Sequence, residues 1–169
     1  MSDESPVMGD PKRPRKKYET PRNPWQEERL KEELRLVGEY GLRNKRELWR
    51  AASTLRKYRN IARSLFILTG EERRVKERAL IDKLYAMGLA SSEADANYVL
   101  QLSVRDILER RLQTQVYRLG LAKTPYHARQ LISHRKVSVG DRVISSPGYL
   151  VKRGEEYKIR LILPAQTRA

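Results

Sequence analysis

The chain of 169 residues has no cysteine and only two histidines. Disulfide bonds are therefore excluded, and so are zinc sites built on thiolates. The histidines, His127 and His134, lie among basic residues, whereas a metal site needs more ligands and less positive charge. We therefore expect neither a metal ion nor a cofactor, and we interpret His134 as a polar or phosphate contact.

Long apolar runs are also missing. No stretch approaches the roughly 18 consecutive apolar residues of a transmembrane helix, and the N-terminus is acidic and then basic, without the apolar segment of a signal peptide. The expectation is a cytoplasmic protein that has no membrane partner.

Catalytic motifs are absent as well. The sequence contains no G-x-G-x-x-G, no phosphate-cradling loop and no H-E-x-x-H. Its paired carboxylates, Glu71–Glu72 and Glu155–Glu156, lie at a helix start and in a turn, where the helix dipole or solvent accounts for them. No Ser–His–acid set stands out, so the sequence predicts a protein that is not an enzyme.

Acidic residues are fewer than basic residues in this sequence. Asp and Glu number 21 against 36 Lys and Arg, which gives a formal net charge of +15 and a pI of about 10.3. Such a charge favours a polyanion as partner, because each phosphate that is neutralised releases a condensed counterion. The alternative is a highly charged surface with no such partner, but the basic residues cluster, which favours nucleic acid.

Residues 1–24 form a basic arm with almost no apolar content. Four prolines between Pro11 and Pro24 block helix formation, and like charges repel each other. We expect a disordered arm that lies extended along phosphates when RNA is bound; a solvated tail with no role is the alternative. The candidate contacts are Lys12, Arg13, Arg15, Lys16, Lys17 and Arg22.

Residues 25–103 are predicted to form a helical RNA-binding domain. One helix spans 25–41, a longer one runs to about Leu68, a third spans Glu71–Met87, and a fourth begins near Ser92. The inward positions of the third helix are predicted to be Val75, Leu80, Ile81 and Leu84.

The second of these helices carries an unusually uniform charge. Glu47 is the only acid between Arg43 and Gly70, whereas a helix that faces water mixes both signs. The pattern favours a phosphate-facing surface. Its aromatic residues, Trp49 and Tyr58, are expected in the core, with base stacking as the alternative. The candidate contacts are Arg43, Lys45, Arg46, Arg50, Arg56, Lys57, Arg59 and Arg63.

Residues 104–163 are predicted to hold two helices and a small sheet. The first helix begins after the N-cap Ser103, with Asp106 three residues on, and its apolar spacing continues to Leu119 before Gly120 ends it. Thr124 caps the second helix and Pro125 takes its first position.

Alternating valines follow the second helix. Val137 and Val139 predict a strand, Gly140-Asp141 a turn, and Val143-Ile144 a returning strand. A further strand that alternates from Tyr157 to Leu163 is expected to pair with this hairpin. Residues 164–169 form a short polar tail.

The run Leu108–Val151 resembles the S-four RNA-binding domain, a small α/β module. Its segments E-R-R-L-Q-T-Q-V-Y-R-L-G-L-A, A-R-Q-L-I-S-H and P-G-Y-L-V resemble the S-four family of small-subunit ribosomal proteins, and Y-G-L-R-N-K-R-E-L-W-R resembles its archaeal and eukaryotic branch. The family often carries Val-Asn-Gly at the hairpin, where this chain has Val139-Gly140-Asp141. The expected fold class is α+β, a mainly helical N-terminal domain with a small α/β RNA-binding module of two helices and a short antiparallel sheet.

We expect the two helices of this module to line one RNA face. Arginine can bond a phosphate through two parallel N–H donors, and neutral donors add to it. Salt bridges from Arg110 or Arg111 to Asp106 or Glu109 are the structural alternative. The candidate contacts are Arg110, Arg111, Arg118, Lys123, Thr124, Tyr126, Arg129, Gln130, His134, Arg135 and Lys136.

The resemblance implies a structural constituent of the small ribosomal subunit. Members of the family bind a multi-helix junction in the 5′ domain of small-subunit rRNA and join early in assembly. They sit beside the S-five protein at the channel through which mRNA enters, and they affect decoding fidelity and mRNA unwinding.

Three alternatives are a pseudouridine synthase that borrows the module, a stand-alone RNA chaperone and a DNA-compacting protein. The first needs a larger catalytic domain, the second is usually little more than the module, and the third does not explain the module.

Overall fold

The computed structural model describes residues 16–162; residues 1–15, Leu163 and the predicted tail lie outside the described residues. The described part is a chain of helices that ends in a three-stranded sheet, which confirms the predicted α+β class. The helices are α1 (Glu27–Glu39), α2 (Lys45–Leu65), α3 (Glu71–Ala86), α4 (Ala96–Gln101), α5 (Val104–Glu109), α6 (Leu112–Arg118) and α7 (Pro125–Ser133). The strands are β1 (Val137–Val139), β2 (Arg142–Val143) and β3 (Ile159–Leu161), and a short 3-10 helix (Glu156–Lys158) precedes β3.

Helix α2 is the scaffold of the N-terminal part. The side chain of Asn44 caps it by accepting a hydrogen bond from the Glu47 N–H at 3.3 Å. Its apolar face is buried along its length, from Leu48 to Leu65, and α1, α3, α4 and α5 pack against it. Tyr58 lies in this core, as predicted.

Within residues 16–162 the buried apolar side chains form two clusters that take their members from consecutive parts of the sequence. The first takes its buried side chains from Tyr40 to Leu108, and the second takes them from Leu112 to Ile159. Helix α5 buries its apolar residues in the first cluster. We therefore propose that the division falls between Leu108 and Leu112 rather than after Ser103.

The prediction of one helix from Ser103 to Leu119 is wrong. The predicted cap is present, because Asp106 accepts from the Ser103 N–H at 2.7 Å. The helix stops after Glu109, however, and a new helix, α6, starts at Leu112.

A contact with a distant segment of the chain separates these two helices. Arg111 forms an antiparallel β-bridge with Leu150, and the Leu112 N–H donates to the Tyr149 carbonyl at 2.8 Å. The Val151 N–H donates to the carbonyl of the residue before the bridge at 2.9 Å. Backbone groups that bond across the chain in this way cannot also continue the hydrogen bonds of a helix, so the helix is interrupted here.

The sheet has the strand order β2-β1-β3, with both pairs antiparallel. Val139 pairs with Arg142 across the predicted turn, where Gly140 adopts a φ of 62°. The predicted hairpin and its pairing with the last strand are confirmed. That strand is shorter than predicted, because Tyr157 lies in the 3-10 helix with 88% of its surface exposed.

Helix α3 buries Leu80 and Leu84, as predicted, but Val75 is 66% exposed, and its prediction as an inward position is wrong. Only the C-terminal half of α3 packs on the first cluster. The N-terminal half faces water and carries the mixed-sign ion pairs Arg73–Glu77 and Lys76–Glu72.

Candidate nucleic-acid interface

The structure sorts the predicted RNA contacts into three groups. Some lie outside the described residues: Lys12, Arg13 and Arg15. Others have a partner within the protein: Lys45, Arg56, Arg59, Arg110, Arg111, Arg118 and Arg129. The rest are exposed and have no carboxylate partner within residues 16–162: Lys16, Lys17, Arg22, Arg43, Arg46, Arg50, Lys57, Arg63, Lys123, Thr124, Tyr126, Gln130, His134, Arg135 and Lys136.

One carboxylate joins α2 to the C-terminal module. Arg129 of α7 donates from Nη2 to Glu47 Oε1 at 2.7 Å and from Nη1 to Oε2 at 3.1 Å. Arg111, which is buried, donates from Nη2 to Glu47 Oε2 at 2.6 Å. Two parallel N–H donors on one carboxylate are the strongest form of ion pair that arginine makes. We call Glu47, Arg111, Arg129 and Gln113 the Glu47 bracket.

Gln113 completes the bracket from the start of α6, where its side chain is fully buried. Its Nε2 donates to the carbonyls of Gly41 at 2.8 Å and Pro125 at 3.0 Å, and its Oε1 lies 3.3 Å from Arg129 Nη1. The side chain therefore joins the turn after α1, the first residue of α7 and the ion pair.

The charge of Glu47 is stabilised by its surroundings. Partial burial by itself would raise the pKa of this carboxyl, but the hydrogen bonds from Arg129 and the positive charges of Arg111 and Arg129 outweigh it and hold the pKa below its usual range. Glu47 is therefore ionised at neutral pH, and both arginines keep their partner.

Exposed basic residues flank the bracket on α2. Arg46, Arg50 and Lys57 are spaced so that they share one side of the helix, and Arg43 precedes its first turn. Burial lowers the pKa of the Arg111 guanidinium, and the positive charges of Arg129 and Arg50 lower it further. This basic side of α2 therefore lies beside the contact with the module.

Helix α7 presents its own polar surface beside the bracket. The Thr124 side chain accepts from the His127 N–H at 3.1 Å, which confirms the predicted cap. Tyr126 and Gln130 are exposed on this helix. At its far end the backbone of Arg135 has a φ of 57°, the one positive value among the non-glycine residues of the described chain.

Two further arginines of the C-terminal part form ion pairs. Arg110 pairs with Glu156, and its guanidinium lies where a Cβ on Gly88 would be 2.5 Å from Cζ. Arg118 Nη2 contacts Glu109 Oε1 at 2.9 Å. The structural alternative for Arg110 and Arg111, that they form salt bridges, therefore holds, but their partners are Glu156 and Glu47 instead of Asp106 or Glu109.

The root of the basic arm contacts α2. The rings of Tyr18 and Trp49 have centroids 6.0 Å apart, and the Glu19 N–H donates to Ser53 Oγ at 2.9 Å. The indole N–H of Trp49 donates to buried Glu33 at 3.0 Å. Trp49 therefore has structural partners on both sides, which favours the core interpretation over base stacking.

No three histidine, aspartate or glutamate side chains within residues 16–162 lie close enough together to hold a metal ion. None of the helices in the same range is both long and apolar enough to cross a membrane.

The sequence did not predict the ion pairs that join α2 to the C-terminal module. The isolation of Glu47 within a basic helix is visible in the sequence and was a usable signal, because a lone acid among arginines has a ready ion-pair partner. Nothing in the sequence singled out Gln113, whose role depends on carbonyl groups that only folding brings together.

Comparison with known proteins first identifies the class of the C-terminal module. Residues 110–156, from the break before α6 to the 3-10 helix, match the family model described as "S4 domain", so the module around α6, α7 and the sheet is an S4 domain. Over most of its length the chain is also similar to proteins that are each called "Small ribosomal subunit protein uS4". The protein of Ignicoccus hospitalis is 56% identical over 149 residues, covering 88% of this chain and 90% of the relative. That of Saccharolobus solfataricus is 53% identical, covering 88% and 83%, and that of Metallosphaera sedula is 51% identical, covering 90% and 85%. The chain belongs to the uS4 family of small ribosomal subunit proteins.

Proposed function

We propose that this protein is a non-enzymatic structural constituent of the small ribosomal subunit that binds a multi-helix junction in the 5′ domain of small-subunit rRNA. Membership of the uS4 family supports the ribosomal role, and the S4 domain supports RNA as the ligand. The net charge of +15 suits a polyanion, and the site of action would be the ribosome in the cytoplasm.

The observation that carries this proposal is the Glu47 bracket. It joins α2 to α7 through Arg129, and exposed cations lie on α2 and next to both ends of α7. A protein that binds a single RNA duplex needs one basic surface. Two basic surfaces at a fixed separation suit the place where RNA helices meet.

The binding chemistry follows from RNA geometry. The deep major groove of an RNA duplex is closed to side chains, so recognition relies on phosphates, 2′-hydroxyls and unpaired bases. Arg46 and Arg50 of α2 would bond the phosphates of one RNA helix. Lys123 and Gln130 would contact the neighbouring helix, and the exposed ring of Tyr126 is available to stack on an unpaired base.

The paired arginines change the assignment of roles. The S4 domain is joined to α2 by the ion pairs of Arg111 and Arg129 with Glu47. Within the S4 domain, Arg110 pairs with Glu156. We assign these three arginines a positioning role, and we assign direct RNA contact to the exposed group. The arm residues Lys16, Lys17 and Arg22 would extend that contact from the root of the arm on α2. The remaining candidates keep the roles predicted from the sequence.

Family membership also suggests the wider role. The protein would nucleate assembly of the subunit, contribute to translational accuracy together with the S-five protein, and lie near mRNA at the channel through which it enters. These finer roles rest on the resemblance alone.

The test is binding of the purified chain to the 5′-domain rRNA and to bulk tRNA across a salt series. We expect both affinities to fall steeply with salt, with rRNA binding surviving where tRNA binding is lost. Parallel loss of both would contradict recognition of a junction.

A matched pair of variants tests the surface. The double variant Arg46→Ala with Lys123→Ala should lower the salt slope for rRNA by about 2, which corresponds to about one for each phosphate that is no longer neutralised. The double variant Arg78→Ala with Lys83→Ala removes the same charge from the exposed side of α3. If both variants weaken rRNA binding equally, the surface assignment is wrong.

A further inference from the structure

We propose that Glu47 determines the specificity of the RNA-binding surface. It fixes the orientation of α7 relative to α2, and it withholds Arg129 from RNA that does not match that orientation. This inference rests on the proposed RNA-binding function. It assigns a role to an acidic residue at the centre of a basic surface.

The position of the carboxylate is unexpected for a surface that binds RNA. Glu47 is the only acid from Asn44 to Thr69, and the cations Arg46 and Arg50 beside it on α2 are exposed. An acid at the centre of a phosphate-facing surface repels RNA and weakens binding. It is therefore useful there only if it does something other than attract the ligand.

The contacts of Glu47 bring together separate parts of the S4 domain. Its carboxylate accepts three hydrogen bonds from the two guanidinium groups of Arg111 and Arg129, and its side chain is 21% exposed. The three bonds fix the carboxylate and both arginines relative to each other. Arg129 lies on α7 together with Tyr126, and Gln113 bonds both Arg129 and the first residue of that helix, so a change in the ion pair acts directly on α7.

Arg129 would act differently without this carboxylate, because its side chain is 22% exposed, whereas Arg111 is buried. An unpaired arginine bonds any phosphate within reach and therefore raises affinity for every RNA. While Glu47 holds it, Arg129 adds little to this general attraction. The exposed cations then meet RNA at a fixed separation, and an RNA whose phosphates have another spacing engages fewer of them.

Removal of the carboxylate should therefore have two effects of opposite sign. Binding to non-cognate RNA should strengthen and become more dependent on salt, because Arg129 is released. Discrimination in favour of the rRNA junction should decrease, because α7 is no longer fixed against α2. Removal of a merely structural interaction would weaken binding to both RNAs and would not steepen the salt dependence.

The experiment uses the full chain and compares Glu47→Gln with Glu93→Gln. Both substitutions remove one negative charge at nearly constant shape, but Glu93 is exposed and makes no ion pair within residues 16–162. Affinities for 5′-domain rRNA and for bulk tRNA are measured across salt. Relative to Glu93→Gln, we expect Glu47→Gln to lower the rRNA-to-tRNA affinity ratio about tenfold, which corresponds to about 1.4 kcal/mol. Its salt slope for tRNA should steepen by about 1, because one arginine, Arg129, becomes available to phosphate.

Equal ratios and equal tRNA slopes in these two variants would overturn the inference. If the wild-type chain itself fails to prefer the rRNA, the proposed junction recognition fails, and the tRNA slope alone then decides whether Glu47 withholds Arg129. If Glu47→Gln does not fold, Arg129→Lys replaces it, because lysine keeps the charge but lacks the two-pronged donor. A reduced ratio in that variant supports the inference, and an unchanged ratio overturns it.

Discussion

Arg135 occupies a backbone conformation that an L-residue with a Cβ adopts at a cost. It follows the end of α7 with a φ of 57°, and its N–H bonds the carbonyl of Ile132 at 3.0 Å. Glycine is the usual residue at this position after a helix. We therefore interpret the exposed arginine at this strained position as an RNA contact that costs stability.

We expect Arg135→Gly to raise the free energy of unfolding by about 0.5–1 kcal/mol, because glycine removes the strain of the left-handed conformation. The same substitution should weaken rRNA binding, because an exposed cation is removed. Urea unfolding and a binding titration provide the two measurements. Arg135→Ala is the control, since it removes the same charge and keeps the strain. If Ala and Gly give equal stability, strain at this position is not significant.

Single residues also show what the sequence could predict. The caps at Ser103 and Thr124 were predictable, because each depends on a partner three residues away. The partners of Arg111 and Arg129 were not, because Glu47 lies 64 and 82 positions away in the chain. Local hydrogen bonds follow from local spacing, whereas ion pairs of this kind depend on the packing of helices.

The turn after α1 packs directly on the start of α7. Gly41 has a φ of 58°, and a Cβ built on it would lie 2.8 Å from Pro125 Cβ and 3.2 Å from the Pro125 carbonyl carbon. A clash with backbone cannot be relieved by rotating a side chain. This glycine therefore permits the close approach that the Glu47 bracket requires.

Gly41→Ala should lower the free energy of unfolding by about 2–4 kcal/mol, which combines backbone strain with overpacking. Gly38→Ala is the matched control. It lies in α1 with nothing within 4 Å of its Cβ position, and it should stabilise the helix by about 0.5–1 kcal/mol. Urea midpoints of the two variants measure both effects. A Gly41→Ala protein as stable as wild type would contradict the tight packing.

The helices whose limits were predicted well pack against helices that are close to them in the sequence. The extents of α1, α2 and α3 follow their apolar spacing closely. The break between α5 and α6 could not be predicted, because the apolar spacing runs through it from Ile107 to Val116 without interruption. It results from the β-bridge to Leu150, which joins segments about 40 residues apart.

The pairing of the two halves makes the stability of the whole protein sensitive to acid. Glu47 has a pKa that is lower in the folded protein than in the unfolded chain, where it is about 4.3. The stability it contributes is therefore fully present above the unfolded pKa and is lost as the pH falls through the folded pKa. Protonated Glu47 resembles glutamine in charge and shape.

We therefore expect wild type to be more stable than Glu47→Gln at pH 7 and the difference to shrink as the pH falls below about 4. Urea unfolding at pH 7 and at pH values above and below about 4 measures this difference in the free energy of unfolding. Glu93→Gln should differ little from wild type throughout. A difference between wild type and Glu47→Gln that stays constant with pH would show that the ion pair does not contribute through its charge.

The two clusters occupy consecutive parts of the sequence, and this has a consequence for synthesis on the ribosome. Every buried side chain of the first cluster has been translated once Leu108 has been added, whereas the second cluster needs residues as late as Ile159. Domains fold as units, the N-terminal one first, during elongation. The helical cluster is therefore free to form while the S4 domain is still being made. The ion pair from Glu47 to Arg129 closes afterwards, as the step that turns two nascent units into one binding surface.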